Sequence, residues 1–315
     1  MARYLARRLT WTAATLLVLA AVTFLLMHRV PGGPFDAASV DRPLPPAVIE
    51  AQRAYYGLDD PLPLQFVRYL GHLVQGDLGI SFAQQGQPVT NLMAAKMRPS
   101  LILGLMSFAI VVAAGIPLGV LAAVRRGGVV DAAALALATA LAAVPAFVLA
   151  FVLLLIFSVW LGWTDVLAGT RFGTGIGSLR AGILPAIALG APGMAIVSRI
   201  TRAAMLEVLE QDYIRTARAK GLGWRGVYLR HALRNALVPV VTVLGPVFAS
   251  LVTGSIIIEA IFGVPGIGSA FITSVVARDY GVIMGTTLFY GAVIMAANLV
   301  VDLLYPLIDP RVTLR

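Results

Sequence analysis

The sequence predicts an all-α protein of the membrane, with six spanning helices and both chain ends on the cytoplasmic side. Three observations carry this. The 315 residues are 59% hydrophobic and only 12% charged, about half the charge of an ordinary soluble chain. Several apolar runs are long enough to cross a hydrocarbon core, which takes about 20 residues at 1.5 Å rise. The charges gather at the ends of those runs and leave their interiors almost clear.

Six segments satisfy the length requirement: about 9–28, 99–124, 132–160, 181–198, 236–258 and 282–305. The first follows a basic start, "MARYLARRL", as a secretory signal would. Its apolar stretch is longer than a signal core and no small-x-small cleavage site closes it, so it reads as a retained first span. The third exceeds what a bilayer needs and is expected to tilt or to project beyond it. Between the first and second spans, residues 29–98 form an insert rich in Pro and Gly. Within it, "LPPAVIEAQRAYYGL" and "PLQFVRYLGHLVQGDLG" each space apolar residues for a short amphipathic helix. The insert reads either as a solvated cap or as a docking surface for an outside partner. The chain therefore divides into 1–28, the cytoplasmic start and first span; 29–98, the insert; and 99–315, a five-span core carrying a loop at 199–235.

Orientation follows from the bias of Lys and Arg toward cytoplasmic loops. With the N-terminus inside, segments 1–8, 125–131, 199–235 and 306–315 hold 15 of the 24 basic residues. The remaining nine spread over far more chain.

The same placement excludes several functions. A net charge of +9 on one face would suggest nucleic acid, but here the charge lies at span ends. Without cysteine, no disulfide framework or thiolate metal site is possible, and His28, His72 and His231 are too scattered for a metal centre. Ionisable residues within a span mark proton or ion pathways, and only Asp302, near the inner end of the last span, qualifies. A gradient-driven carrier and a membrane-embedded hydrolase are both disfavoured, the latter because no histidine lies in a span core.

One stretch breaks the pattern. Eight of the 24 basic residues fall between Arg199 and Arg234. "EVLEQDYIRTARAK", Glu207 to Lys220, reads as one helix with Val208, Leu209, Tyr213, Ile214 and Ala217 near a common face. Gly221 and Gly223 break it, and "WRGVYLRHALRNALVP" resumes as helix. Helix, sharp turn and helix make a rigid protrusion, whereas a connector needs only a few residues. Its composition alone slightly favours an anchor lying on anionic lipid. "GLGWRG" matches G-x-G-x-x-G at Gly221, Gly223 and Gly226, but a helix precedes it where a dinucleotide site needs a strand. Neither Lys96 nor Lys220 sits in a phosphate loop, so any ATP site lies on another chain.

"DYIRTARAKGL" followed by "HALRNALVP" resembles the cytoplasmic EAA loop of bacterial ABC-importer permeases, in the version of the dipeptide/oligopeptide and nickel permease family. "RVPGGPFD", "LDDPLPLQFVRYLGHLVQGDLGISF", "IIIEAIFGVPGIGSAF" and "DLLYPLIDPRV" extend the likeness over nearly the whole chain, with Gly33 where Asp is usual. The resemblance implies the type I importer permease fold in a bacterial inner membrane and a chain without bond chemistry or cofactor of its own. It implies a second homologous permease, two cytoplasmic ATPase subunits carrying ATP and Mg, an external solute-binding protein, and a peptide, nickel chelate or other solute as cargo. It assigns ATPase coupling to Asp212, Tyr213, Arg215, Thr216, Ala217, Arg218, Ala219, Lys220 and Gly221. Counted back from Gly221, the general EAA-x3-G pattern keeps only Ala217 and Gly221. Arg215 stands at its Glu position and Thr216 at its first Ala, so the partner groove is expected to be acidic or carbonyl-lined.

After the fifth span, Glu259 is followed by Gly263, Pro265, Gly266 and Gly268, a run that cannot continue as regular helix. It reads either as an ordinary loop or as a re-entrant turn lining a polar passage, with Glu259, Phe262, Pro265, Gly266 and Gly268 as gate candidates. Gly115 with Gly119, and Gly281 with Gly285, set small residues one turn apart for close helix packing.

Overall fold

The computed structural model describes residues 2–30, 34, 46–84, 86–164, 172, 175–252 and 256–308. The predicted insert motif around Gly33 and the end of "DLLYPLIDPRV" lie outside these residues. Helices account for nearly all of the described chain, and the extended pairing among those residues is an isolated bridge between Ile80 and Pro88.

The chain separates into two compact units: Met1–Ser100 with Pro265–Met295, and Leu101–Val264 with Ala296–Arg315. In the first, helix α1 (Ala2–Arg29) buries Ala20, Phe24 and Met27 against Met284 and Leu288 of α13 (Tyr280–Ile308). The insert contributes α2 (Pro46–Tyr55) and α3 (Leu62–Val74), matching the two predicted amphipathic stretches. Phe66, Tyr69 and Leu73 of α3 pack on that same cluster. Asp279 ties the loop before α4 (Val89–Ile110) to the start of α13. It accepts from Ser81 Oγ, from the N–H groups of Phe82 and Ala83, both at 3.1 Å, and from Val282 N–H. The short helix α12 (Ile267–Val276) is fixed by Ile267 N–H donating to Ser100 Oγ at 2.9 Å.

The second unit is built around α8 (Gly175–Leu209), which packs against α6 (Val129–Ala143), α7 (Ala146–Leu153), α10 (Arg234–Val252) and α5 (Ile116–Val124). A π-helical turn, Val111–Gly115, joins α4 to α5 in one continuous rod. Close approach explains the paired glycines. A methyl group on Gly119 would sit 2.5 Å from Ser198 O, and one on Gly115 3.2 Å from Met194 O, both on α8. Gly281 and Gly285 likewise admit Ile80 and Val89 in the first unit.

Among the described residues, five helices are long and apolar enough to cross a bilayer alone, and up to seven spans result when bent helix pairs are included. Three expectations need correction. The second span begins at Val89, because the helix runs through Pro99. The third is not one tilted helix: it breaks between Ala143 and Ala146 and turns by 106°. Pro145 removes a backbone donor and its ring crowds the preceding turn, which ends α6 there. The fourth does not stop at 198, since α8 continues unbroken to Leu209.

Candidate functional site

The 199–235 stretch forms the predicted helix, turn and helix, with one difference. The run from Glu207 to Lys220 is two helices: α8 ends at Leu209, and α9 (Asp212–Ala219) starts after a turn closed by Gln211 N–H donating to Val208 O at 3.1 Å. Packing explains the break. A straight helix would carry Ile214 away from the foot of the bundle. The turn instead brings Ile214 onto Val120 and Ala123 of α5, Met205 of α8, and Val227 and Ala232 of the following π-helical segment, Gly226–Leu233, and Ala217 is buried as well. Ile214 is 0% exposed. Asp212 in the first turn and Arg218 in the last complement the helix dipole.

Gly221 makes the elbow, at φ +77°, where a side chain is strained. Its N–H donates to Arg218 O at 2.9 Å, and Leu222 N–H returns to Ala217 O, closing the end of α9.

Of the nine residues predicted to couple, eight (Asp212, Tyr213, Arg215, Thr216, Arg218, Ala219, Lys220 and Gly221) are exposed on one protrusion, while Ala217 faces inward. Its smallness serves the seating of α9 on its own chain. Tyr213 is pinned by Asn235 Nδ2 donating to its hydroxyl at 2.7 Å, and Arg218 lies over the Tyr228 ring at 5.9 Å. The protrusion also displays Leu222 and Trp224, the latter 53% exposed and 5.9 Å from the Tyr228 ring. A large aromatic held open beside a cationic helix has the composition of an interface anchor. Trp224 was not among the residues that the sequence assigned to coupling, because an apolar side chain in a helical run carries no sign of exposure.

Two polar contacts at the foot of the second unit were not anticipated. Arg202 on α8 makes a two-pronged pair with Asp131 on α6, Nε–Oδ1 2.6 Å and Nη2–Oδ2 2.8 Å. Arg126 reaches Glu210 at 2.8 Å. Each joins residues more than 70 positions apart, so no local spacing could have revealed them.

The predicted gate residues divide between the units. Glu259 and Phe262 sit on α11 (Ile256–Phe262) in the second, both buried, Glu259 at 0% exposure. Gly263 ends that helix at φ +63°. Pro265, Gly266 and Gly268 belong to the first unit, where Gly266 precedes α12 and Gly268 is buried within it.

The first unit contains a cleft of about 780 Å³, within the range of small-ligand pockets. A run of rings lines it: His28 and Tyr280 centroids lie 5.2 Å apart, Tyr280 and Phe82 6.0 Å, Phe82 and Tyr56 4.5 Å. His28 Nδ1 is 2.8 Å from Phe24 O. A carbonyl only accepts, so Nδ1 carries the proton. Burial pushes the Tyr69 phenol above its ordinary range and keeps it neutral.

Long apolar helices, bent helix pairs and a protruding elbow together define a polytopic membrane protein. Models of two families match in tandem: "Binding-protein-dependent transport system inner membrane component" over residues 115–314, and its N-terminal companion over 1–97. The chain belongs to this family of ABC-importer permeases. It is 44% identical to the dipeptide transport system permease protein DppB of Bacillus subtilis strain 168 over 314 residues, covering 100% of this chain and 99% of that one. It is 39% identical to the oligopeptide transport system permease protein OppB of Escherichia coli K12 over 312 residues, 99% of each. Among solved structures, a chain of the inward-facing MetNI methionine ABC transporter superposes with TM-score 0.52 at 18% identity, covering 70% of this chain and 99% of that one. That likeness shows the fold.

Proposed function

We propose that this chain is one of two permeases forming the passage of an ATP-driven importer of di- and oligopeptides in a bacterial inner membrane, both termini cytoplasmic. A second, homologous permease completes the passage. Two cytoplasmic ATPase subunits, which carry ATP and Mg, grip α9 and its elbow, and an external binding protein delivers cargo over the insert and its aromatic cleft. The observation that carries this reading is the eight-residue α9, seated by a fully buried Ile214 and offering Arg215, Arg218 and Lys220 outward beside Trp224. The peptide cargo is supported by the named relatives above. The buried seat of α9 on α5 and α8 passes its displacement to those helices, and closure of the ATPases then shifts the permeases between inward- and outward-open states.

Arg215 is exposed and within 3.4 Å of Asp212 only as a surface pair, so replacing it leaves the fold intact. Arg215→Glu is expected to weaken retention of the ATPase subunits at least about tenfold, through like-charge contact with an acidic or carbonyl-lined groove. Pull-down titration of detergent-solubilised complexes measures this. Undiminished ATPase binding and cargo-stimulated turnover refute the assignment.

Glu259 and Phe262, both on α11 in the second unit, belong to the outer gate in this proposal. Glu259 is fully buried on an otherwise apolar helix, and ionisable residues within membrane segments commonly mark functional sites. Glu259→Gln preserves shape and removes the charge. The expected result is reduced uptake of cationic peptides with neutral ones less affected. Wild-type uptake of both classes removes Glu259 from the passage.

A further inference from the structure

We propose that Asp131 and Arg202 form a brace that positions the coupling elbow, so that movement delivered to α9 reaches α5, α6 and α8 together. The proposal rests on the reading of α9 as the ATPase-facing element and adds the device that makes its displacement useful.

The guanidinium of Arg202 meets the Asp131 carboxylate on two edges, and Gly127 N–H adds a third bond to Asp131 Oδ2 at 2.9 Å. Gly127 adopts φ +75° to aim that N–H. The Asp131 side chain is 5% exposed and that of Arg202 23%. A fork against a carboxylate fixes orientation as well as distance, which a point charge or an apolar contact does not. The pair therefore sets both the rotation of α8 and its height relative to α6.

A second tie lies farther along α8. Arg126, from the same short loop as Gly127, pairs with Glu210 at the end of α8. Eight residues separate Arg202 from Glu210, about 12 Å of helix. The loop thus grips the last two turns of α8 at both ends, directly before the turn into α9. Just before the first tie, Gly119 lets α5 touch α8 at Ser198 and Thr201, and Ile214 seats α9 on α5. An apolar pair of similar volume would satisfy packing at the Asp131 site equally well. The charged fork adds a single fixed register, which a lever base requires.

The test uses the assembled transporter, both permeases and both ATPases, in lipid nanodiscs. Readouts are co-purification of the ATPases, basal ATP hydrolysis, and its stimulation by the binding protein loaded with trialanine. Spin labels at Gln211 and Val129, both exposed, report the distance across the brace without nucleotide and after vanadate trapping. Asp131→Asn and Arg202→Lys are expected to retain the ATPases and basal hydrolysis, to lose stimulation about tenfold and threefold respectively, and to broaden the label distance on trapping. Arg202→Lys keeps the charge and the fold while losing the fork, so it decides the matter should Asp131→Asn fail to insert. The exchange Asp131→Arg with Arg202→Asp is expected to regain at least about a third of stimulation, the Gly127 bond being lost. Wild-type stimulation with a narrow distance in Arg202→Lys overturns the brace. Loss of stimulation merely in proportion to lost complex overturns it too. Failure of the α9 reading itself shows differently, as intact ATPase retention in Arg215→Glu.

Discussion

Gly119→Leu is expected to abolish recovery of folded permease, and Gly119→Ala to lower its thermal stability by several degrees. A Cβ at this position would lie 2.5 Å from Ser198 O, 2.6 Å from Thr201 Cβ and 3.1 Å from Arg202 N. Two of the three are backbone atoms of α8, which cannot swing aside as a side-chain tip does. The helices must separate, and forced overpacking costs about 1–3 kcal/mol even for one methyl. Separation here also stretches the adjoining Asp131–Arg202 pair. Gly71 on α3 supplies the contrast: nothing lies within 4 Å of its would-be Cβ. Gly71→Ala should match or slightly exceed wild type, since alanine favours helix by about 1 kcal/mol over glycine. Melting of the detergent-solubilised chain, followed by size-exclusion fluorescence, reads both. Equal melting of Gly119→Ala and Gly71→Ala contradicts the packing described.

Ile214→Asp is expected to unseat α9 and abolish ATPase binding; Ile214→Ala should do so partially. Ile214 is 0% exposed among Val120, Met205, Val227 and Ala232. Truncating a buried Ile to Ala costs about 2–5 kcal/mol. That is large against the stability of an eight-residue helix, which is marginal without tertiary contacts. An aspartate adds the desolvation of an unpaired charge. Arg215, Arg218 and Lys220 provide the assay, because each is a tryptic site on α9 or its cap. Cleavage there should accelerate at least tenfold in Ile214→Ala while sites elsewhere keep wild-type rates. Unchanged cleavage at all three would show that α9 is held by something other than this side chain.

Much of this architecture was legible in the residues, and its gaps have physical causes. The insert helices α2 and α3 follow from apolar spacing that needs no partner to interpret. The elbow followed from two glycines after a helical run, and Gly221 does adopt the left-handed turn. The break at Gln211 was invisible because no glycine or proline interrupts the run from Glu207 to Lys220. Only the gain from burying Ile214 against α5 and the segment after the elbow bends the chain there. Pro145 was present to be read, yet Pro99, Pro185, Pro192, Pro239 and Pro246 all lie inside continuous helices. Proline alone therefore does not locate a bend. The Asp131–Arg202 fork joins distant positions, and pairing charges across 71 residues requires coordinates. At Glu259 the sequence offered a loop or a gate; the carboxylate proves to be wholly enclosed.

The length of α8 has a consequence for the lipid around the protein. At 35 residues it measures about 52 Å, well beyond the roughly 30 Å hydrocarbon layer. It runs to the turn before α9 with no joint between the apolar portion and Leu209. How far the elbow stands from the headgroups is consequently settled by where the bilayer grips this one rod. Acyl-chain length and sterol-like thickening then act as a dial on docking height: a thicker sheet draws the foot inward, and a thinner one pushes it out to meet the motor.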